Sequence, residues 1–430
     1  MTTELTRFTQ WAAEKPQRRY TALMGMLTDE WGLAESFERQ PSNKAVGVDG
    51  ISKADYEREL GSNLADLSAR LKRMGYRPKP SRRVYVPKSN GGKRPIGLPS
   101  FEDRIVEDRL SRILQAIWEP EFRECSYGFR PGRNAHQALA RLKEIIVGER
   151  TQWLVEVDIR NFFGGVSHEH MRRFVAHRVG DKNLLRLVQR FLKAGVLEDG
   201  AFSASEEGTP QGNLVSPVLS NIYLHYCLDV WFERRFARQC KGKAFLVRYC
   251  DDFVACFEWE ADARTFEREL KERLAKFSLE VEPTKSALIR FGDLAPLLCK
   301  REGLTRPASF SFLGFTHYLH VRPNGRTVLR HKTQGIRMRK KLVALGRRLK
   351  SMRVLGAAKM QTYVRQHVQG HLQYYGVSGN SRWMQNYVYQ VRRLLFKWLN
   401  RRSQRRSFNW ARYDHWVSSW MPRPHIVHTL

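Results

Sequence analysis

Three aspartates stand at the ends of apolar runs, where a purely structural design would place turn formers. Asp251 and Asp252 are adjacent, with Phe245-Leu246-Val247-Arg248-Tyr249-Cys250 before them and Phe253-Val254-Ala255-Cys256-Phe257 after. Two apolar, β-rich runs around so short a break predict a tight hairpin. Asp-Asp suits such a turn poorly, because two-residue hairpin turns favour Asn-Gly or Asp-Gly and adjacent like charges repel. Taken alone, the pair is better read as a solvated acidic turn, which surface hairpins tolerate. A third carboxylate, Asp158, ends another strand-like run, Trp153-Leu154-Val155-Glu156-Val157-Asp158. If these strands are neighbours in one sheet, three negative charges converge at one edge and require cations. Mg²⁺ favours carboxylate and phosphate oxygens, and two ions about 3.5–4 Å apart can activate a hydroxyl while stabilising a leaving pyrophosphate. The chemistry this predicts is nucleotidyl transfer.

Tyr249-Cys250-Asp251-Asp252 resembles the Tyr-x-Asp-Asp box of reverse transcriptases, and the chain from about residue 40 onward is similar to bacterial group II intron reverse transcriptase/maturases. Most of that family carries Ala at the x position; Cys250 departs from it but is similarly small, so altered nucleotide handling is the most it implies. The resemblance implies an α+β right-hand polymerase, fingers and palm with an antiparallel palm sheet, followed by an α-helical thumb/maturase domain. Asp158, Asp251, Asp252 and the backbone carbonyl of Ile159 would hold two Mg²⁺. Phe163, five residues after Asp158, would lie beneath the sugar of an incoming dNTP and collide with a ribose 2′-hydroxyl.

Further blocks of the resemblance follow in order. Arg82 to Leu98 alternates apolar and basic residues around Asn90-Gly91-Gly92 and predicts a hairpin with cations at its tip. It lacks the Gly-Lys-Ser/Thr of a phosphate-binding Walker loop; in the family, Lys88 and Arg94 would hold the triphosphate. Ser126-Tyr127-Gly128-Phe129-Arg130-Pro131-Gly132-Arg133 matches a block near the template, with Arg130 and Arg133 as RNA contacts, although a loop capping the next helix explains much of it. Pro210-Gln211-Gly212 would pack under the nascent base pair, with Gln211 on the nucleotide. Lys285, after Glu282-Pro283-Thr284, would lie near the leaving pyrophosphate and protonate it. Phe310-Ser311-Phe312-Leu313-Gly314-Phe315 resembles the primer grip, which makes Gly314 a nucleic-acid contact.

The elements that must carry these residues are partly legible. Residues 1–40 read as an N-terminal extension of short helices, 41–325 as fingers and palm, and 331–430 as the basic helical domain. Asp49, before Gly50, is a turn former. A helix opens at Phe101 and reaches Trp118 before Pro120; Ser216 is a candidate N-cap, with Pro217 in the first turn. Met360, Val364, Val368 and Leu372 form one helical stripe, and Trp383, Tyr387, Val391, Leu394 and Trp398 a second.

A formal charge of +32 over 430 residues points to a polyanionic partner. The excess is concentrated: His331 to Leu430 holds 21 Lys and Arg against one acid, Asp414. Arg401, Arg402, Arg405 and Arg406 cluster there as candidate phosphate contacts. The six cysteines show no paired C-x-x-C spacing, which argues against structural zinc and a disulfide framework and fits reduced thiols in the cytoplasm; the resemblance implies a bacterial, nucleoid-associated setting. No signal peptide, membrane span or internal repeat is recognisable. The partners implied are an RNA template, a DNA or RNA primer, dNTPs and a structured intron RNA, with no membrane. The family's nuclease domain has no counterpart before Leu430, so a primer from elsewhere is expected. Two other readings stay open: an RNA-binding splicing cofactor in which polymerisation is secondary, and a domesticated reverse transcriptase in host defence or repair.

Overall fold

The computed structural model describes residues 3–87, 92–198, 201–203, 207–208, 212–402 and 407–430. They form two compact units, Met1–Ala138 with Val155–Leu288, and Leu139–Leu154 with Ile289–Leu430. The class is α+β with largely antiparallel sheets.

The first unit is built on the helix Phe101–Trp118. Ser100 caps it by accepting from the Asp103 amide, and Ile105, Val106, Leu110, Ile113, Leu114 and Ile117 are fully buried. Capping and a continuous apolar face fix this helix locally, as its sequence predicts. Helices Thr3–Glu14 and Glu30–Glu38 pack against it. The N-terminal forty residues therefore lie inside the first unit and not beside it. The backbone amides of Leu23 and Met24 both donate to Asp181, at 2.9 Å each.

Strands β1 (Ser81–Pro87) and β2 (Lys93–Leu98) form the predicted basic hairpin. Strand β3 (Trp153–Asp158) ends at the first aspartate; β4 (Val196–Glu198) and β5 (Ala201–Ser203) extend the hairpin into a sheet of order β2-β1-β4-β5. Strands β6 (Ala244–Tyr249), β7 (Asp252–Phe257) and β8 (Ala287–Arg290) join β3 in the order β6-β7-β3-β8. Phe253 to Phe257 are all fully buried, which explains why this run lacks polar alternation. Helix Ser216–Leu224 begins one residue earlier than its cap reading suggests: Val215 is the N-cap and Ser216 already helical, with Pro217 in the first turn as expected.

In the second unit, β9 (Phe310–Phe312), β10 (Phe315–Val321) and β11 (Thr327–Thr333) make an antiparallel sheet, followed by helices Gly335–Ser351, Ala357–Tyr375, Ser381–Leu399 and Trp410–Ser418. The sequence reading placed this sheet with the preceding domain, up to residue 325. Side chains tie it to the helices instead: Tyr374 donates to the Leu313 carbonyl at 2.8 Å, and Asn380 accepts from the Thr333 amide at 2.9 Å. The first helical stripe is buried throughout. In the second, Tyr387 and Val391 are buried, but Trp383, Leu394 and Trp398 are only partly so; Leu395 and Leu399 take the inner positions. No helix among the described residues is long and apolar enough to cross a membrane. All six cysteines are free.

Candidate active site

Two apolar strands meet at the acidic turn, but the turn itself is not the Asp-Asp pair. Tyr249 and Asp252 are the closing cross-strand pair, so Cys250 and Asp251 are the two central residues and Asp252 is the first residue of β7. Cys250 adopts φ +62°, a conformation that such a turn ordinarily assigns to Gly, Asn or Asp. Its side chain is buried, and burial pushes the thiol up to about 12, so it packs as a small apolar group and not as a nucleophile. Gly128 lies directly against it: a Cβ there would stand 2.4 Å from Cys250 Sγ and 2.7 Å from its amide nitrogen. Backbone bonds fix this approach, from the Tyr127 amide to the Arg248 carbonyl (2.9 Å) and from the Arg248 amide to the Cys125 carbonyl (2.7 Å). The loop from 125 onward is thus the floor of the acidic turn.

Asp158 closes β3, which is hydrogen-bonded to β7 on one side and β8 on the other. Its carbonyl accepts from the Glu282 amide at 2.8 Å, and its amide donates to Ser286 Oγ at 3.3 Å. Lys285, in the short 3₁₀ turn Pro283–Lys285, places Nζ 2.5 Å from Asp158 Oδ2. Both side chains are substantially exposed, so this pair adds little to stability. Ile159 is buried and bridges to Val281. After it, Asn161 takes φ +42° and starts the turn Phe162–Gly165. Phe162 goes into the core, with Phe163 edge-on to it at 5.4 Å and half-buried. Among the described residues, no group of three or more His, Cys, Asp or Glu side chains forms a ready-made ion cage.

Residues 207–208 and 212–215 are held on both sides of the predicted nucleotide-contact segment. The Gly208 amide donates to the Val166 carbonyl (2.8 Å), and His168 Nε2 donates to the Gly208 carbonyl (2.6 Å). Gly212, at φ +115°, comes so close to β2 that a Cβ would lie 2.3 Å from the Gly97 carbonyl oxygen. Glu107 on the central helix accepts from the Leu214 amide at 2.6 Å; burial raises its carboxyl well above the usual range, which favours the neutral acid. Gln211 and Lys88 lie outside the described residues, as does the side chain of Arg94, whose backbone pairs with Val86.

Arg130 does not face outward. It is buried, with Nε and Nη2 on Glu119 and Nη1 on the carbonyls of Arg123 and Ser126, both at 2.8 Å. Its guanidinium is committed to the loop, so the expected RNA contact is not kept for it. Arg133 stays near the surface, paired with the exposed Glu124 at 2.7 Å. Gly314, at φ +83°, makes the β9–β10 turn against Tyr375 and Arg337, and its carbonyl accepts from the Gln334 amide. Arg401 is exposed and lies over the Trp398 ring, whereas Arg402 bonds locally to the Leu399 carbonyl and Ser407. Arg405 and Arg406 lie outside the described residues.

Residues 86–317, more than half of the chain, match the family described as reverse transcriptase (RNA-dependent DNA polymerase). Protein YkfC of Escherichia coli K12 is 38% identical over 240 residues, 54% of this chain and 62% of its own length. The group II intron-encoded protein LtrA of Lactococcus lactis is 36% identical over 191 residues, 44% of this chain and 32% of its own. Nuclear intron maturase 1, mitochondrial, of Arabidopsis thaliana is 30% identical over 95 residues, 22% of this chain and 13% of its own. The chain thus spans less than two thirds of each of these relatives. With the acidic hairpin beside the strand of Asp158, these likenesses identify the chain as a member of the reverse transcriptase family, in its group II intron reverse transcriptase/maturase branch.

Proposed function

We propose that the protein is an RNA-directed DNA polymerase of group II intron type, which copies RNA into cDNA with dNTPs and also binds intron RNA to assist splicing. The observation that carries this reading is the Cys250-Asp251 turn and Asp252 on β7, hydrogen-bonded neighbour of the strand that Asp158 ends. The donor set is all hard oxygen, which suits Mg²⁺. The Lys285 ammonium seated on Asp158 is an observation that this carboxylate attracts a cation. Asp158, Asp251, Asp252 and the Ile159 carbonyl would hold two Mg²⁺, which supply activation of the primer 3′-hydroxyl and charge stabilisation of the leaving pyrophosphate.

The protein's own residues then position and exclude. Phe163, backed by Phe162, closes the space beneath the sugar and disfavours a 2′-hydroxyl. Lys285 exchanges Asp158 for the departing phosphate oxygens and gives up its proton there. Gly208 comes close to the Phe163 carbonyl and Gly212 to β2, and Gln211, between them in the sequence, would contact the nascent pair. Lys88 and Arg94 on the β1–β2 hairpin take the triphosphate, and Gly314 in the β9–β10 turn admits the primer strand closely. Arg133, Arg401, Arg402, Arg405 and Arg406 contact RNA phosphates.

The test is primer extension on a defined RNA template. Asp251→Asn is expected to lower the rate by at least about 10²–10³-fold, the usual loss of one preorganised electrostatic group, while RNA affinity persists. Extension at the wild-type rate by the purified variant would end the assignment. The intron-binding half of the reading is supported by the 21-to-1 excess of cations in residues 331–430 and by relatives named as an intron-encoded protein and an intron maturase. It predicts that Asp251→Asn still promotes splicing of its intron.

A further inference from the structure

Arg248, the residue two before the turn, is fully buried and every N–H of its guanidinium is used. Nε donates to Asp229 Oδ1 at 2.7 Å, and Nη2 to Asp229 Oδ2 at 2.5 Å and Ser126 Oγ at 2.8 Å. Nη1 donates to Asn221 Oδ1 at 3.1 Å and to the Cys250 carbonyl at 3.0 Å. The loop at Ser126, the helix that carries Asn221 and Asp229, and the turn itself are therefore gathered on one side chain. Ser126 comes from the loop under the turn and is itself fixed from behind by Arg130, which donates to its carbonyl. Asn221 lies on helix Ser216–Leu224 and also donates, through Nδ2, to the Gly128 carbonyl at 2.7 Å. Asp229 ends a π-helical turn, His225–Asp229, that continues this helix. A π-turn inserts one residue and rotates the rest of the helix; here it belongs to the helix that delivers Asp229 to the guanidinium.

The Cys250 carbonyl is a distinctive target. It belongs to the residue held at positive φ, and its peptide unit leads directly to Asp251. A bond to that oxygen sets the tilt of the peptide and hence the direction in which Asp251 leaves the turn. We propose that Arg248 is a positioning residue of the active site: through the Cys250 carbonyl it locks the strained turn in the pose that presents Asp251, and Asp229, Asn221, Ser126 and the π-turn exist to hold its guanidinium. Arginine is required because five donors in a fixed plane must serve four partners at once, which a lysine ammonium cannot do. This rests on the polymerase reading for its effect on rate, but its effect on the turn is independent of it.

Removing Arg248 alone would strand the buried Asp229 and threaten folding. The informative variant is Arg248→Met with Asp229→Asn, which deletes both charges with little change of volume. Full-length protein is compared with wild type by thermal unfolding, RNA affinity, alkylation of Cys250 followed by peptide mass spectrometry, and the split of extension into kcat and KM. A melting temperature near wild type, unchanged RNA affinity and KM for dNTP, a Cys250 that alkylates many-fold faster, and kcat lower by about 10²-fold are expected, the loss typical of a misplaced reacting group. If the double variant fails to fold, Arg248→Lys, which keeps a charge opposite Asp229, is read on the same four measurements. A folded variant with Cys250 as protected as in wild type overturns the proposal, whatever its rate. Faster Cys250 alkylation in a protein whose wild type extends no primer supports the lock and removes the polymerase reading instead.

Discussion

Arginine does opposite work in the two halves of this molecule. In the first unit it is a rivet: Arg248 is paired with Asp229, Arg130 with Glu119, Arg112 with Glu35 and Arg178 with Glu121, and each of these arginine side chains is at most 8% exposed. In the helices after residue 331 a single acid, Asp414, is available, and Arg392 takes it. The remaining cations there surround an apolar interior of Met360, Val364, Leu372, Tyr387 and Val391, and several lie over aromatic rings, as Arg353, Lys397 and Arg401 do over Trp398. The number of acids within reach, more than the number of arginines, decides whether a guanidinium builds the protein or meets a polyanion.

The comparison breaks most visibly at the acidic turn. Gly128→Ala puts a Cβ into the Cys250 backbone and not merely into its thiol. Overpacking of this kind is expected to cost about 1–3 kcal/mol in stability and to lower extension by about 10²-fold, through displacement of Asp251. Pairing it with Cys250→Ala should restore little, because the amide nitrogen stays in the way; full rescue in a primer-extension assay would show that the thiol alone sets the approach.

Next in size is an arginine exchanged across the two regions. Arg130→Ala leaves Glu119 facing a buried hole and should cost up to about 3 kcal/mol by denaturant unfolding, with the salt dependence of RNA binding unaltered. Arg401→Ala should stay within about 0.5 kcal/mol of wild-type stability and flatten the plot of log affinity against log salt by up to about 0.7, the slope that one neutralised single-strand phosphate supplies. Reversal of either pair of results would remove the distinction between rivet and phosphate ligand. Lys285→Ala should leave the melting temperature unmoved, since its pair with Asp158 is exposed, while extension falls about 10²-fold, the low end of what a positioned proton donor contributes.

The smallest expected effect is in pH. Burial depresses His331 and His367 to about 4 and His371 to about 3, with nearby lysines adding to the shift, against an ordinary 6.5. These groups are neutral when folded and take up protons on unfolding below about 6.5. Their stabilisation is therefore complete above 6.5 and is lost as pH falls towards about 4. Unfolding midpoints for residues in the helical region should drop across that window, and variants with His367→Gln and His371→Gln should flatten the dependence.

Much of the site was legible because its signals are local. An apolar run ending in aspartate, a Gly-rich break between basic strands, the helical stripe that opens at Phe101 and the cation excess after residue 331 are each contained in a short stretch of sequence. The misreadings share one cause. Arg130 and Arg133 look alike in Phe129-Arg130-Pro131-Gly132-Arg133, yet one is buried on Glu119 and the other paired at the surface. Nothing local marks Gly128 as the floor of a turn more than 120 residues later, or Arg248 as more than a strand residue.

By itself, then, the sequence determined which residue types exist to do chemistry, which segments are strands and helices, and where unneutralised charge accumulates, because periodicity, capping and composition act over a few residues. The tertiary structure alone decided that Cys250 and not Asp252 occupies the turn, that Gly128 must lack a side chain, and which arginines are spent inside the protein. Those choices depend on partners brought from distant positions, such as Asp229 and Ser126 onto Arg248. Only close packing fixes which carboxylate a guanidinium finds.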